Sequence, residues 1–176
     1  MPKPPSWNEI RRNAAAFATR WADETDENRE AQTFWNEFLA VFGVERRRVA
    51  TFEERARRES TGGRGRIDLF WPRTLIAEHK SAGRDLSQAE AQALDYLDSI
   101  DQDQFPGVVV TSDFAHMRIR DLGGDNLPFE FPLHQLVIEI DRFGFIAGYQ
   151  RREFSSQQEA EASIKAAQLM GASTNS

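Results

Sequence analysis

Apolar residues near the start of the chain recur three or four positions apart. Trp7, Ile10, Ala14, Phe17 and Trp21 predict an amphipathic helix over about 7–21. Asp26 or Asn28 is placed to cap a second helix over about 28–42, with Ala31, Phe34, Trp35, Phe38, Leu39 and Phe42 on one face and Gly43 as its stop. That aromatic stripe is read as core rather than as a docking face. Val49 to Arg57 alternates moderately, as a strand does. Two further strands are predicted over about 65–71 and 74–80, joined tightly around Pro72. Asp85 or Ser87 begins a helix running to about Ile100, with Leu86, Ala89, Ala93, Leu97 and Ile100 as its buried stripe. Val108-Val109-Val110 is too apolar for an exposed edge and predicts a covered central strand. Ala115 to Asp121 alternates Met117 and Ile119 with arginines, another strand. Gly123-Gly124-Asp125-Asn126 is a turn. Leu133 to Ile140 reads as either a helix or a strand, with helix preferred; 156–170 predicts a helix through Ala160, Ile164, Ala167 and Met170, and 171–176 is expected to fray. The pattern is that of one α/β domain over 1–170, a mixed central sheet flanked by helices.

Composition narrows the chemistry. At 176 residues and 40% hydrophobic the chain can bury a real core. It has no cysteine, which excludes disulfides and thiolate zinc sites. His79, His116 and His134 are not at metal-ligand spacing. No apolar run approaches the roughly 20 residues of a membrane helix, and the start lacks a secretion signal, so a cytoplasmic protein is expected. The net charge is −6, but Arg46 to Arg66 holds eight arginines against three glutamates. A basic stretch beside carboxylates suits a phosphate-bearing polymer. Arg55, Arg57, Arg58, Arg64 and Arg66 are its DNA-binding candidates.

The candidate chemistry follows directly. Arg66-Ile-Asp-Leu-Phe-Trp leads through Pro72-Arg73-Thr74 to Leu75-Ile-Ala-Glu-His-Lys. Asp68, Glu78 and Lys80 thus fall where a sheet interior is expected, and charge there needs a partner. Strand residues two apart point the same way, so Glu78 and Lys80 share a face and the His79 side chain takes the other. A three-residue turn sets Trp71 opposite Leu75 and Asp68 opposite Glu78; a two-residue turn sends Asp68 to the wrong side. An odd-length loop or a compensating bulge is therefore predicted. With that geometry Asp68, Glu78 and the His79 carbonyl offer hard oxygen ligands to Mg²⁺, with Mn²⁺ as a substitute. Lys80 is placed to neutralise charge on a phosphate or to position water. It is one of only three lysines in an arginine-rich chain. A cross-strand salt bridge on a wet face is the competing reading of the same residues.

This order of elements resembles the PD-(D/E)xK nuclease superfamily, with Ile67 where the naming proline stands. A closer resemblance is to the N-terminal endonuclease domain of single-chain type II restriction-modification enzymes (type IIG/IIL). It is carried by Glu30-Ala-Gln-Thr-Phe-Trp-Asn-Glu-Phe with Val41-Phe-Gly-Val-Glu, by Arg66-Ile-Asp-Leu-Phe-Trp-Pro, and by Leu75-Ile-Ala-Glu-His-Lys-Ser-Ala-Gly-Arg-Asp-Leu. Ala91-Gln-Ala-Leu-Asp-Tyr-Leu, Val110-Thr-Ser-Asp-Phe, Phe131-Pro-Leu and Phe143-Gly-Phe-Ile-Ala-Gly continue it. The resemblance implies a restriction-endonuclease-like core and Mg²⁺-dependent cleavage of double-stranded DNA in anti-phage defence. Asp68, Glu78 and Lys80 match the catalytic positions, and Glu30 a first-helix carboxylate near the metal. Gln88, Gln92 and Tyr96 resemble a Gln-x(3)-Tyr feature that orients the site or touches DNA. Arg84, in a matching stretch, joins the DNA-binding candidates.

The chain carries no Asn-Pro-Pro-Tyr-like motif and no glycine-rich loop after a strand, so no S-adenosylmethionine site is expected in it. Ile164-Lys-Ala-Ala-Gln-Leu-Met-Gly resembles the start of the connector in longer relatives. A methyltransferase or specificity module on the same or another chain is the implied partner, together with DNA and a transient homodimer on it. A catalytically silent DNA-binding or assembly module is the alternative the same resemblance allows.

Overall fold

A computed structural model of the chain describes residues 3–49, 54–57, 64–81, 83 and 85–149. Helix α1 (Trp7–Trp21) begins at Ser6, whose hydroxyl accepts the Glu9 N–H while the Glu9 carboxylate accepts the Ser6 N–H. Helix α2 (Glu27–Val41) is capped by Asp26 and stops at Gly43, which turns into the left-handed region at φ 74°. Both match the predicted spans within one residue. Of the strand expected over Val49 to Arg57, Glu54–Arg57 forms β1, Val49 instead ends a short helix α3 (Arg46–Val49), and 50–53 lie outside the described residues. Three successive arginines favour a helical turn over a half-buried strand, because they offer no apolar face to a sheet.

β1 pairs antiparallel with β2 (Arg64–Ile67) as a separate two-stranded ribbon. The main sheet follows: β3 (Leu69–Trp71), β4 (Leu75–His79), β5 (Val108–Ser112), β6 (His116–Asp121) and β7 (Pro128–Pro132), hydrogen-bonded in that order. β4 and β5 are parallel and the other neighbours antiparallel. The parallel pair needs a crossover. Helix α4 (Leu86–Leu97), capped by Asp85, supplies it. β7 is an edge strand that the alternation did not reveal; a proline at each end suits an edge, where a missing N–H costs no ladder bond. Leu133–Ile140 is helical, the preferred of the two readings, but α5 (Leu136–Glu139) is a short piece between 3₁₀ turns, the second continuing to Ala147. The predicted helix over 156–170 and the tail over 171–176 lie outside the described residues.

The sheet separates two cores. On one face Leu75, Ala77, Val108, Val110, Met117, Ile119 and Phe131 pack against α1, α2 and the 133–147 segment. Phe34, Trp35, Phe38 and Phe42 are fully buried there, so the aromatic stripe is core. On the other face Ile67, Phe70, Ile76 and Val109 meet Ala93, Tyr96 and Leu97 of α4. The alternation within β4 sends its odd positions to the first core and its even positions towards α4. No described helix is long and apolar enough to cross a membrane.

Candidate active site

Asp68 sits where an edge strand breaks. β2 ends at Ile67, β3 begins at Leu69, and Asp68 forms a bend between them. Ile67 and Phe70 both pack under α4 although they are three apart. An unbroken strand would turn them to opposite faces, so the bend does the work of a bulge. The hairpin ladder runs Trp71 to Leu75, Phe70 to Ile76 and Leu69 to Ala77. Pro72-Arg73-Thr74 is thus a three-residue loop, the odd length the sequence required, with Arg73 left-handed at φ 66°. One further step of that register sets Asp68 beside Glu78.

The bend takes Asp68 out of the ladder, and its side chain replaces the lost acceptor. Its Oδ2 accepts the main-chain N–H of His79 at 2.7 Å. His79 separates Glu78 from Lys80, so the carboxylate is held against the backbone of the Glu-His-Lys segment. Glu78 is 5% exposed. Its Oε1 lies 3.7 Å from Lys80 Nζ, an ion pair too long for a hydrogen bond. The structure therefore draws Asp68, Glu78 and Lys80 to one end of β4.

The His79 ring points to the opposite core, as the alternation predicts. Its centroid lies 4.1 Å from that of Phe114, 4.9 Å from Phe34 and 5.8 Å from Trp35. Burial pushes its pKa down to about 3, because this apolar surround disfavours an imidazolium. Neither ring nitrogen has a hydrogen-bond partner among the described residues. What His79 brings to the candidate site is main chain, not imidazole.

Glu30 lies half-buried in the first turn of α2, its Oε1 3.5 Å from Arg29. α2 covers the sheet face opposite to α4. Among the described residues no three or more histidine, aspartate or glutamate side chains gather closely enough to hold a metal ion, so Glu30 does not join Asp68 and Glu78 in such a group. Gln88 is exposed and Gln92 half-buried on α4. Gln92 Oε1 is buried with no hydrogen-bond partner among the described residues. Tyr96 is 4% exposed and its ring packs edge-on against Phe70 at 5.8 Å, so of the two roles that the resemblance implies, orienting the site or touching DNA, its burial speaks against the second. That flank of α4 leans onto the β3 edge, and an aromatic ring there is worth more as core than as a contact.

Backbone register places Arg55 opposite Arg66 and Arg57 opposite Arg64. Residues two apart and residues directly opposed share a face, so all four positions fall on one side of the ribbon. Arg58 and Arg84 lie outside the described residues.

Sequence reading missed a charge cluster behind the site. Glu90 of α4 is 4% exposed. It accepts from Arg118 Nε and Arg120 Nη1, each at 2.8 Å. The only signal was an acid among the small apolar residues of α4, opposite a strand that alternates arginine with Met117 and Ile119. Asp113 closes the turn after β5: its Oδ1 accepts the His116 N–H at 2.7 Å. Its Oδ2 also accepts Gly83 N–H at 3.3 Å, tying the loop after Lys80 to the end of β5.

A mixed sheet covered by helices on both faces, with acidic groups at the end of an edge hairpin, is the architecture expected of a restriction-endonuclease-like core. The family model described as the MmeI N-terminal domain matches residues 12–176, and the chain belongs to that family, a domain of restriction enzymes. No curated protein and no solved structure matches the chain significantly.

Proposed function

We propose that this chain is the DNA-cleaving domain of a restriction-modification enzyme, a metal-dependent endonuclease of the PD-(D/E)xK type acting on double-stranded DNA. One observation carries the reading. The bend after Ile67 holds the Asp68 carboxylate 2.7 Å from the His79 amide, at the segment that presents Glu78 and Lys80. A salt bridge on a wet face would need neither that break nor a glutamate at 5% exposure.

The donor set suits a hard divalent cation. Asp68, Glu78 and the His79 carbonyl are oxygen ligands, and Mg²⁺ is commonly held by one or two carboxylates with waters completing its shell. Mn²⁺ accepts the same donors. Such an ion supplies charge neutralisation at the scissile phosphate and acidifies water. Around it this chain's residues divide the task. Asp68 and Glu78 would hold that ion, with the His79 carbonyl beside them. Lys80, with a compact ammonium 3.7 Å from Glu78, donates to a phosphate oxygen or to the attacking water. The arginines of the β1–β2 ribbon, two residues upstream of Asp68 and beyond, meet neighbouring phosphates.

The test is nicking of supercoiled plasmid with Mg²⁺ or Mn²⁺. The full chain should convert plasmid to open-circle and linear forms, while Asp68→Ala and Lys80→Ala should each abolish conversion with unchanged circular dichroism. Two folded variants that cut as wild type does would overturn the assignment. Salt-sensitive DNA binding without any cutting would leave a binding module.

A further inference from the structure

Strand register carries one polar row across the α4 face of the sheet. Glu78 pairs with Thr111 of β5, Thr111 with Arg118 of β6, and Arg118 with Glu130 of β7. Val109 packs under α4 while Val108 and Val110 face the other core, so alternation puts Thr111 on the α4 side, beside Glu78. Thr111 is fully buried, and its Oγ1 has no hydrogen-bond partner among the described residues. A valine would fill the same shape without stranding a hydroxyl.

The neighbours on either side differ. Arg118 is engaged, by Glu90 at 2.8 Å and Glu130 at 3.7 Å. Its guanidinium is moreover only a donor, and offers the threonine proton nowhere to go. Glu78 is an acceptor on a strand about 4.8 Å away, within reach of a hydroxyl that rotates freely about its C–O bond. Nothing else in the row accepts a hydrogen bond next to Thr111.

We propose that Thr111 is a positioning residue for Glu78: its hydroxyl donates to the Glu78 carboxylate when that group turns to a divalent cation, and holds it in the liganding orientation. This rests on the metal-dependent reading above. Losing a group that orients a liganding carboxylate typically costs about 10–100-fold in metal affinity.

Mn²⁺ binding to the full chain, followed by isothermal titration calorimetry alongside thermal melting, separates the possibilities. Thr111→Val should bind Mn²⁺ roughly 10-fold more weakly than wild type, with a melting temperature at or above the wild-type value. Thr111→Ser, which keeps the hydroxyl, should restore binding. Thr111→Ala, also without a hydroxyl, makes the same comparison if the valine variant does not fold. Wild-type Mn²⁺ affinity in the folded valine or alanine variant would overturn the proposal, as would a serine variant that binds no better than valine. A wild-type chain that binds no Mn²⁺ would overturn the cation reading of Asp68 and Glu78 as well. Wild-type binding with an indifferent Thr111 overturns this inference alone.

Discussion

Asp68 Oδ2 accepts the main-chain N–H of His79 at 2.7 Å, so a side chain does the work of a strand carbonyl at the point where the edge strand bends. This links the candidate chemistry to local stability, and the two can be separated. Asp68→Asn keeps an acceptor for the amide and removes the charge. It should abolish metal-dependent nicking while shifting the urea midpoint little. Asp68→Ala should lose nicking and also about 1–2 kcal/mol of stability, because an amide is left without its partner. Equal stability of the two variants would show that the hydrogen bond is not what holds the bend.

The arginine ribbon should reveal itself through salt. Backbone register pairs Arg55 with Arg66 and Arg57 with Arg64, and under the proposed function these arginines meet phosphate. Replacing Arg55 and Arg66 with glutamine should weaken DNA binding uniformly across sequences. The slope of log affinity against log salt should become shallower by about 0.9 for each phosphate that is no longer neutralised. An unchanged slope in fluorescence anisotropy titrations would remove the ribbon from the DNA interface.

His79 should make the fold sensitive to mild acid. Its folded-state pKa of about 3 lies below the ordinary 6.5. Between those values the unfolded chain takes up a proton that the folded chain refuses, so stability falls as pH drops from about 6.5 towards 3. Above that window this group contributes no slope. The loss approaches about 1.4 kcal/mol per pH unit inside the window. Urea melts at pH 7, 5 and 4 should show wild type losing more than His79→Leu, which has no proton to gain. Parallel losses would place the imidazole in a wetter setting.

Glu90 joins α4 to β6 from inside the protein. Glu90→Ala leaves Arg118 and Arg120 facing a buried space with no counter-charge from α4, and should cost about 3 kcal/mol in chemical denaturation. Glu90→Gln retains hydrogen-bond acceptance and should cost less. Because the cluster lies behind Thr111 rather than at Asp68, wild-type Mn²⁺ affinity is expected in any folded Glu90 variant.

Much of this architecture follows from local periodicity. The 3.6-residue stripe through Ile10, Ala14, Phe17 and Trp21 settled α1, and Phe34, Trp35, Phe38 and Phe42 settled the buried side of α2, because helix hydrogen bonds close within one turn. Alternation of period two sent the His79 side chain away from Glu78 and Lys80. Counting residues across Pro72-Arg73-Thr74 set the hairpin register, since a tight loop allows few pairings. What tertiary structure decided depends on partners distant in sequence. The bend at Asp68 answers to the His79 amide across the hairpin. β1 and β2 leave the main sheet to pair with each other, and β7 is a strand because β6 lies beside it. Tyr96 is core because Phe70 lies beneath it, and Glu90 is tolerable because two arginines of another strand reach it. None of these partners can be read from a neighbour along the chain: burial and charge balance are properties of what packs nearby in space, and only the folded protein brings those groups together.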